Sequence, residues 1–238
     1  MDTTPTPNPA PTDEPTTKTH IYFLLDRTGS MAAMAADVIG GFNGFLAAQR
    51  ADGDDAVMTL VQFDSGNPFE ILVDAAPIAA VRDLTPATFQ PRGSTPLLDA
   101  TGNLVAHASV RAEQRTVLAK ASESILFVTF TDGEENASRR YTRADIVKLV
   151  AAKEAQGWAF VFLGAGLDAY AESRSIGYAP GSVQRWAADG RGARVAFDSL
   201  ARATVAHRGR VRRAEQVDAH EFFDGDKPAD ADRKRRGQ

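Results

Sequence analysis

Residues 21–30 read IYFLLDRTGS. Five apolar residues in unbroken succession, 21–25, are the mark of a short strand buried within a sheet. The run stops at Asp26, and Thr28 and Ser30 place hydroxyls two and four residues beyond that carboxylate. A strand of this kind needs cover on both faces, which sets what the flanking sequence must supply.

The flanks supply helices. Met34, Val38, Phe42, Phe45 and Leu46 recur at helical spacing. Gly40, Gly41 and Gly44 weaken that helix, since glycine costs about 1 kcal/mol relative to alanine in a helix interior. Residues 57–63 (VMTLVQF) predict a second strand. Asp64-Ser65-Gly66-Asn67 is a turn signal, and residues 69–73 (FEILV) predict a third strand that so short a connection forces antiparallel. Residues 83–94 are polar, carry Pro86, Pro91 and Gly93, and read as a long loop. Leu97, Leu98, Thr101, Leu104, Val105 and Ala108 mark a helix, and residues 125–131 (ILFVTFT) a fourth strand ending at Asp132. Thr142 with Asp145 three residues on is a capping-box start for a helix continued by Ile146, Leu149 and Val150. Residues 158–163 (WAFVFL) predict a fifth strand, 167–175 a short helix, 182–187 a sixth strand and 195–206 a last amphipathic helix.

Strands alternating with helices predict an α/β domain: a three-layer α/β/α sandwich around a Rossmann-like, doubly wound, mostly parallel sheet with one antiparallel edge strand. If the first and fourth strands are neighbours, the winding reverses between them. Ligands in such folds bind at that switch point, outside the carboxyl ends of the strands. Asp26 and Asp132 close those two strands.

The domain is expected over residues 20–207. Residues 1–19 are rich in Thr and Pro without periodicity, and are expected to be disordered. Residues 208–238 form a mixed basic and acidic extension, of which 225–238 (GDKPADADRKRRGQ) reads as a second disordered tail. A hydrophobic share of 43% suffices for a sizeable core, and a net charge of −4 gives no global pull toward nucleic acid or an anionic membrane. With no cysteine, a disulfide scaffold, a thiolate metal site and a cysteine nucleophile are excluded. The first 18 residues carry acids and five prolines and have no apolar core, so no signal peptide is expected. No apolar run approaches the roughly 20 residues needed to span a bilayer. A cytoplasmic protein is the expectation.

A hard divalent cation takes oxygen ligands: carboxylates, hydroxyls and water. Asp26 and Asp132 would neutralise its charge, while Thr28, Ser30 and Thr95 offer hydroxyls near the same end of the sheet. Few protein ligands leave water positions open, which suits Mg²⁺ because it dehydrates reluctantly. Ser30 leads into a helix N-terminus, whose partial positive charge opposes a lone cation and favours an anion. Such a site prefers cation and acidic ligand together.

LLDRTGSM, then GSTPL, then TFTDGEEN resembles the metal-ion-dependent adhesion site of von Willebrand factor A domains. Asp26, Thr28, Ser30, Thr95 and Asp132 match that pattern in order, with Thr28 where the family usually has Ser. The resemblance covers roughly residues 19–207, and the stretch FLGAGLDAYAESRSIGY (162–178) loosely resembles intracellular bacterial members of the family. It implies direct metal contact by Thr28, Ser30 and Thr95, water-mediated contact by Asp26 and Asp132, and a partner carboxylate in the open position. It also implies an adaptor that binds a protein partner, sometimes beside an AAA-type ATPase. Mn²⁺ and Ca²⁺ are accepted by the same donors.

Simpler roles exist for each residue. Asp26 or Ser30 caps a helix, Thr95-Pro96 starts one, and Asp132-Gly133 is a turn dipeptide. Glu134, Glu135, Asn136 and Tyr141 lie on the following loop, either choosing the partner or merely facing solvent. Two other functions compete. Metal-assisted phosphoester hydrolysis needs a base or nucleophile, and His20, His107, His207 and His220 fall in no catalytic motif. Nucleic-acid association would use the arginines from Arg191 onward, yet acids interleave and no stacking aromatics alternate with them. No catalytic residue is predicted.

Overall fold

A computed structural model describes residues 17–165, 169–218, 220–223 and 225–237. The expected tail over residues 1–16 and the first residues of the helix expected at 167–175 lie outside the described residues.

β1 (Thr19–Asp26) is buried along its whole length, as its apolar run dictates. It pairs in parallel with β2 (Ala56–Asp64) on one side and β4 (Ser124–Thr131) on the other. β5 (Ala159–Ala165) and the short β6 (Val183–Trp186) extend the sheet in parallel beyond β4. β3 (Asn67–Pro77) returns antiparallel to β2 from the turn at Asp64, giving the order β3-β2-β1-β4-β5-β6.

Successive residues of a strand point to opposite faces, and the helices divide accordingly. Phe23 and Leu25 of β1 join Val128 and Phe130 of β4 against α1 (Ala35–Asp52) and α5 (Gly190–Arg212). Tyr22 and Leu24 join Phe127 against α2 (Leu97–Val117), α3 (Arg143–Glu154) and α4 (Ala169–Ser175). The three layers and the edge position of β3 are those expected. Because α1 follows β1 on one face and α3 follows β4 on the other, the winding reverses between β1 and β4.

Aromatic packing ties the first face together. Phe23 meets Phe42 and Phe45 edge-on at 5.3 and 5.5 Å between centroids, and Phe130 stacks on Phe197 at 4.3 Å. Burying one such side chain contributes about 1.5–3 kcal/mol. Of the three glycines of α1, Gly41 has a packing reason: a Cβ there would stand 2.4 Å from the Phe197 ring, whereas Gly40 and Gly44 face open space. By length and apolar content, the helical stretch Gly29–Asp52 meets the requirement for crossing a bilayer, contrary to expectation. Its large apolar residues, Met31, Met34, Val38, Phe42, Phe45 and Leu46, are instead buried in the sheet-facing core. α3 opens with the expected capping box: the Thr142 side chain accepts from Asp145 N, and the Asp145 carboxylate accepts from Thr142 N.

The C-terminal part departs from expectation. Residues 208–238 are not an extension outside the domain. Arg208 is fully buried, donating to the carbonyls of Gln49 at 2.7 Å and Gly53 at 2.8 Å and pairing with Asp52 and Asp55. Phe222 and Phe223 enter the core, and α6 (Pro228–Arg235) packs beside β6. There Asp230 Oδ1 accepts from Arg185 N at 3.0 Å, and Ala229 N donates to Gln184 Oε1 at 3.3 Å. The anchors are two adjacent aromatics and a few paired charges, so no apolar periodicity advertises them.

Candidate metal centre

The switch point gathers three loops. The first follows β1. There the Asp26 carboxylate is fully buried, with Oδ1 accepting from Thr28 N at 2.7 Å and Oδ2 from Thr131 Oγ1 at 2.5 Å. This brings the β4 end against the β1 end. From the second loop, after β4, Asp132 Oδ1 accepts from Ser30 Oγ at 2.7 Å, and Ser30 Oγ lies 3.2 Å from Thr28 Oγ1. The third loop precedes α2 and carries Thr95. Arg92 N donates to Arg27 O at 2.8 Å and Gly29 N to Gly93 O at 3.0 Å, holding this loop against the first. Thr95 N donates to Asn136 Oδ1 at 2.8 Å and Asn136 N to Thr95 O at 3.0 Å, holding it against the second. Thr95 itself is buried over Gly133, where a Cβ would stand 2.9 Å from Thr95 Oγ1. All five residues read from the sequence therefore converge: Asp26, Thr28, Ser30, Thr95 and Asp132.

The electrostatics of the cluster are unbalanced. Burial pushes the Asp26 carboxyl up to about 7, against hydrogen bonds from Thr131 and Thr28 and with help from the charge of Asp132. Burial likewise raises Asp132, against the hydrogen bond from Ser30. Among the described residues neither acid forms an ion pair with a lysine, arginine or histidine. Buried carboxylates ordinarily have a cationic or metal partner. Buried Asp26 and half-buried Asp132, with three hydroxyls, make a hard, oxygen-only donor set that fits Mg²⁺, Mn²⁺ or Ca²⁺. Among the described residues no group of three or more His, Cys, Asp or Glu converges on a metal position. A cation here would thus rely on hydroxyls and water beside the two acids.

No histidine stands beside Ser30. His20 lies at the far end of β1, stacked on Tyr22 and bonded to Glu123 and Thr59. His107 bonds Asp74, His220 lies near Glu154, and His207 is buried in α5.

Sequence reading missed the supports of the cluster. Glu135 and Asn136, candidates for partner choice, bond neighbouring backbone. Glu135 accepts from Leu98 N at 2.9 Å, Ala137 N at 2.9 Å and Ser138 N at 2.7 Å, and Asn136 holds Thr95. Tyr141 packs on α2, its ring 2.6 Å from where a Cβ on Gly102 would stand. Of the four loop candidates, Glu134 and Asn136 are exposed, Asn136 with its side chain bonded to Thr95 N. Asp99, in the first turn of α2, accepts the backbone N–H groups of Arg139, Arg140 and Tyr141 at 2.9 Å each. The one local hint was a run of acid, amide and hydroxyl, Glu135-Asn136-Ala137-Ser138, of the kind that caps loops.

No family model and no curated protein matches the sequence. Solved structures share the fold. The pilus adhesin SpaC from Lactobacillus rhamnosus GG, in its open conformation, aligns over 82% of this chain at a TM-score of 0.62 and 13% identity. Proximal thread matrix protein 1 from the mussel byssus aligns over 78% at 0.55 and 14%. The manganese-loaded TRAP protein of Plasmodium vivax aligns over 76% of this chain and 72% of its own at 0.50 and 15%. The chain spans 31% of the length of SpaC and 47% of that of the byssus protein. At these identities the likeness concerns the fold: a von Willebrand factor A-type α/β sandwich, here with an oxygen-rich cluster at its switch point.

Proposed function

We propose that this chain is a divalent-cation-dependent protein-interaction module. Asp26, Thr28, Ser30, Thr95 and Asp132 would hold Mg²⁺, or Mn²⁺ or Ca²⁺ in its place, and a carboxylate from a partner protein would complete the shell. The observation that carries this reading is Asp26, a fully buried carboxylate with no cationic side chain paired to it among the described residues. A bound divalent cation supplies that missing charge. Ser30 presents its hydroxyl to Asp132, the Thr28 hydroxyl lies beside that of Ser30, and Thr95 closes the other side over Gly133. The manganese-loaded TRAP structure has the same fold, which is compatible with a metal at this end of the sheet.

The role is read as binding without catalysis: no histidine stands beside Ser30, and the acid its hydroxyl reaches, Asp132, is assigned to the cation. Resemblance to intracellular relatives suggests a cytoplasmic adaptor, with an AAA-type ATPase complex as one class of partner. Much of the charge in the arginine-rich C-terminal part is already paired with acids of the fold. Arg191 pairs with Asp232, Arg194 with Asp37, Arg212 with Asp52 and Asp55, Arg213 with Glu215, and Arg236 with Asp189.

Calorimetric titration of Mg²⁺ and Mn²⁺ into chelated protein tests the reading, beside Asp132→Ala. Saturable binding by the wild type alone is expected, together with EDTA-sensitive capture of a partner that Asp132→Ala loses. Equal binding by both proteins would overturn the site. Absence of binding by the wild type, even with added carboxylate, would overturn the metal dependence.

A further inference from the structure

Asp64 closes β2 and is fully buried, yet it lies outside the five residues of the candidate metal centre. Its Oδ1 accepts from Gly66 N at 2.6 Å and Asn67 N at 3.0 Å, which closes the β2–β3 turn. Its Oδ2 accepts from Arg27 Nε at 2.7 Å and from Arg92 Nε at 3.1 Å. Arg27 belongs to the loop bearing Asp26, Thr28 and Ser30, and Arg92 to the loop bearing Thr95. One carboxylate thus grips both loops that supply hydroxyls. Around it, Arg27 Nη1 donates to Gln62 Oε1 at 3.3 Å and Arg27 also pairs with Glu70. Ser94 N donates to Ser65 Oγ at 3.0 Å, so the β2–β3 turn touches the Thr95 loop a second time.

The arrangement has two physical effects. Geometrically, Thr95 is separated from Thr28 by 67 positions, and its loop has no strand to hold it in register. The Asp64 bonds, with Gly29 N to Gly93 O, supply that register. Electrostatically, Arg27 lies between Asp26 and Thr28 in sequence, where an unpaired guanidinium would repel a divalent cation. Asp64 and Glu70 compensate it.

We infer that Asp64, through Arg27 and Arg92, is a positioning residue that locks the Thr95 loop against the Asp26–Ser30 loop and so sets the affinity of the cation site. This rests on the metal reading above, and the test separates the two. Arg92 is half-exposed, so Arg92→Gln removes one link without emptying the core. Amide hydrogen exchange at Gly29 and Ser94 in the chelated full chain reads the loop geometry with no metal present. Mn²⁺ titration reads the site.

In Arg92→Gln, faster exchange at both amides and roughly threefold to tenfold weaker Mn²⁺ binding are expected. Asp64→Asn should weaken Mn²⁺ by about tenfold or more, the usual scale for residues that orient metal ligands. Arg92→Lys, which keeps the charge and a donor, should recover most of the affinity. Wild-type exchange and wild-type Mn²⁺ affinity in Arg92→Gln would overturn the inference, even if Asp64→Asn fails to fold. Faster exchange in a protein whose wild type takes no Mn²⁺ would uphold the loop lock and overturn the metal reading instead.

Discussion

Raising the pH of the metal-free protein should destabilise it through Asp26, and Mg²⁺ should reverse the loss. Burial moves this carboxyl from 3.8 to about 7 in the folded chain. Below 3.8 both states hold the proton, and the stabilising contribution is complete. As pH rises, the unfolded chain releases its proton first, so stability falls until the folded carboxyl ionises at about 7. Three units at about 1.36 kcal/mol each set a ceiling near 4 kcal/mol. At about 2–4 °C per kcal/mol for a domain of this size, the melting point should drop by on the order of 10 °C. Asp132, also raised by burial, acts in the same direction. Other groups titrate over the same range, so the reference is Asp26→Asn. Its amide keeps an acceptor for Thr28 N and a donor for Thr131 Oγ1, but no charge. Thermal unfolding followed by circular dichroism, stepped between about pH 4.5 and 8.5 in chelator, gives the profile. The wild type should lose stability relative to Asp26→Asn as pH rises, and Mg²⁺ should restore the wild type alone. Parallel profiles for the two proteins would refute the reasoning, because Asp26 would then ionise as freely in the fold as outside it.

Gly133→Ala would place a Cβ 2.9 Å from Thr95 Oγ1 and push that hydroxyl aside. Mn²⁺ titration should show weakening of about tenfold, with the urea midpoint little changed. His207 is buried, neither ring nitrogen has a hydrogen-bond partner among the described residues, and burial pushes its pKa down to about 4. The unfolded chain takes up a proton from about 6.5 downward while the folded chain resists until about 4, so stability is lost as pH falls through that window, by at most about 3 kcal/mol. His207→Phe should flatten that acid limb in urea unfolding at pH 7 and 4.5. Deleting residues 218–238 removes Phe222, Phe223 and Ala229 from the core. At about 1.5–3 kcal/mol per buried phenylalanine, the truncated chain should lose a few kcal/mol in equilibrium unfolding. An unchanged midpoint would return residues 218–238 to the status of an appendage.

Local pattern carried most of the architecture. The run at residues 21–25 was legible as a buried strand because no polar residue interrupts it, and the 64–67 turn because Gly and Asn favour tight reversal. The capping box at Thr142 was legible because both partners sit within one helical turn. The C-terminal region was misread for the converse reason. Phe222 and Phe223 are two adjacent residues with no period, and Arg208 reads as a solvated charge until Asp52 and Asp55 are placed beside it. Gly41 reads as a weak point of α1 and proves to be the place where Phe197 of α5 comes close.

By itself, then, the sequence determined the alternation of strands and helices and the antiparallel hairpin, because each is written in residues near one another along the chain; the five oxygen-bearing residues it offered only as three separate short segments, at 26–30, 95 and 132. Only the tertiary structure decided what surrounds those donors. Asp64 reaches Arg27 across 37 positions, Asn136 reaches Thr95 across 41, and Thr131 reaches Asp26 across 105. Burial and charge compensation arise from such distant pairings, and no local pattern records whether a carboxylate will find its counter-charge inside the fold.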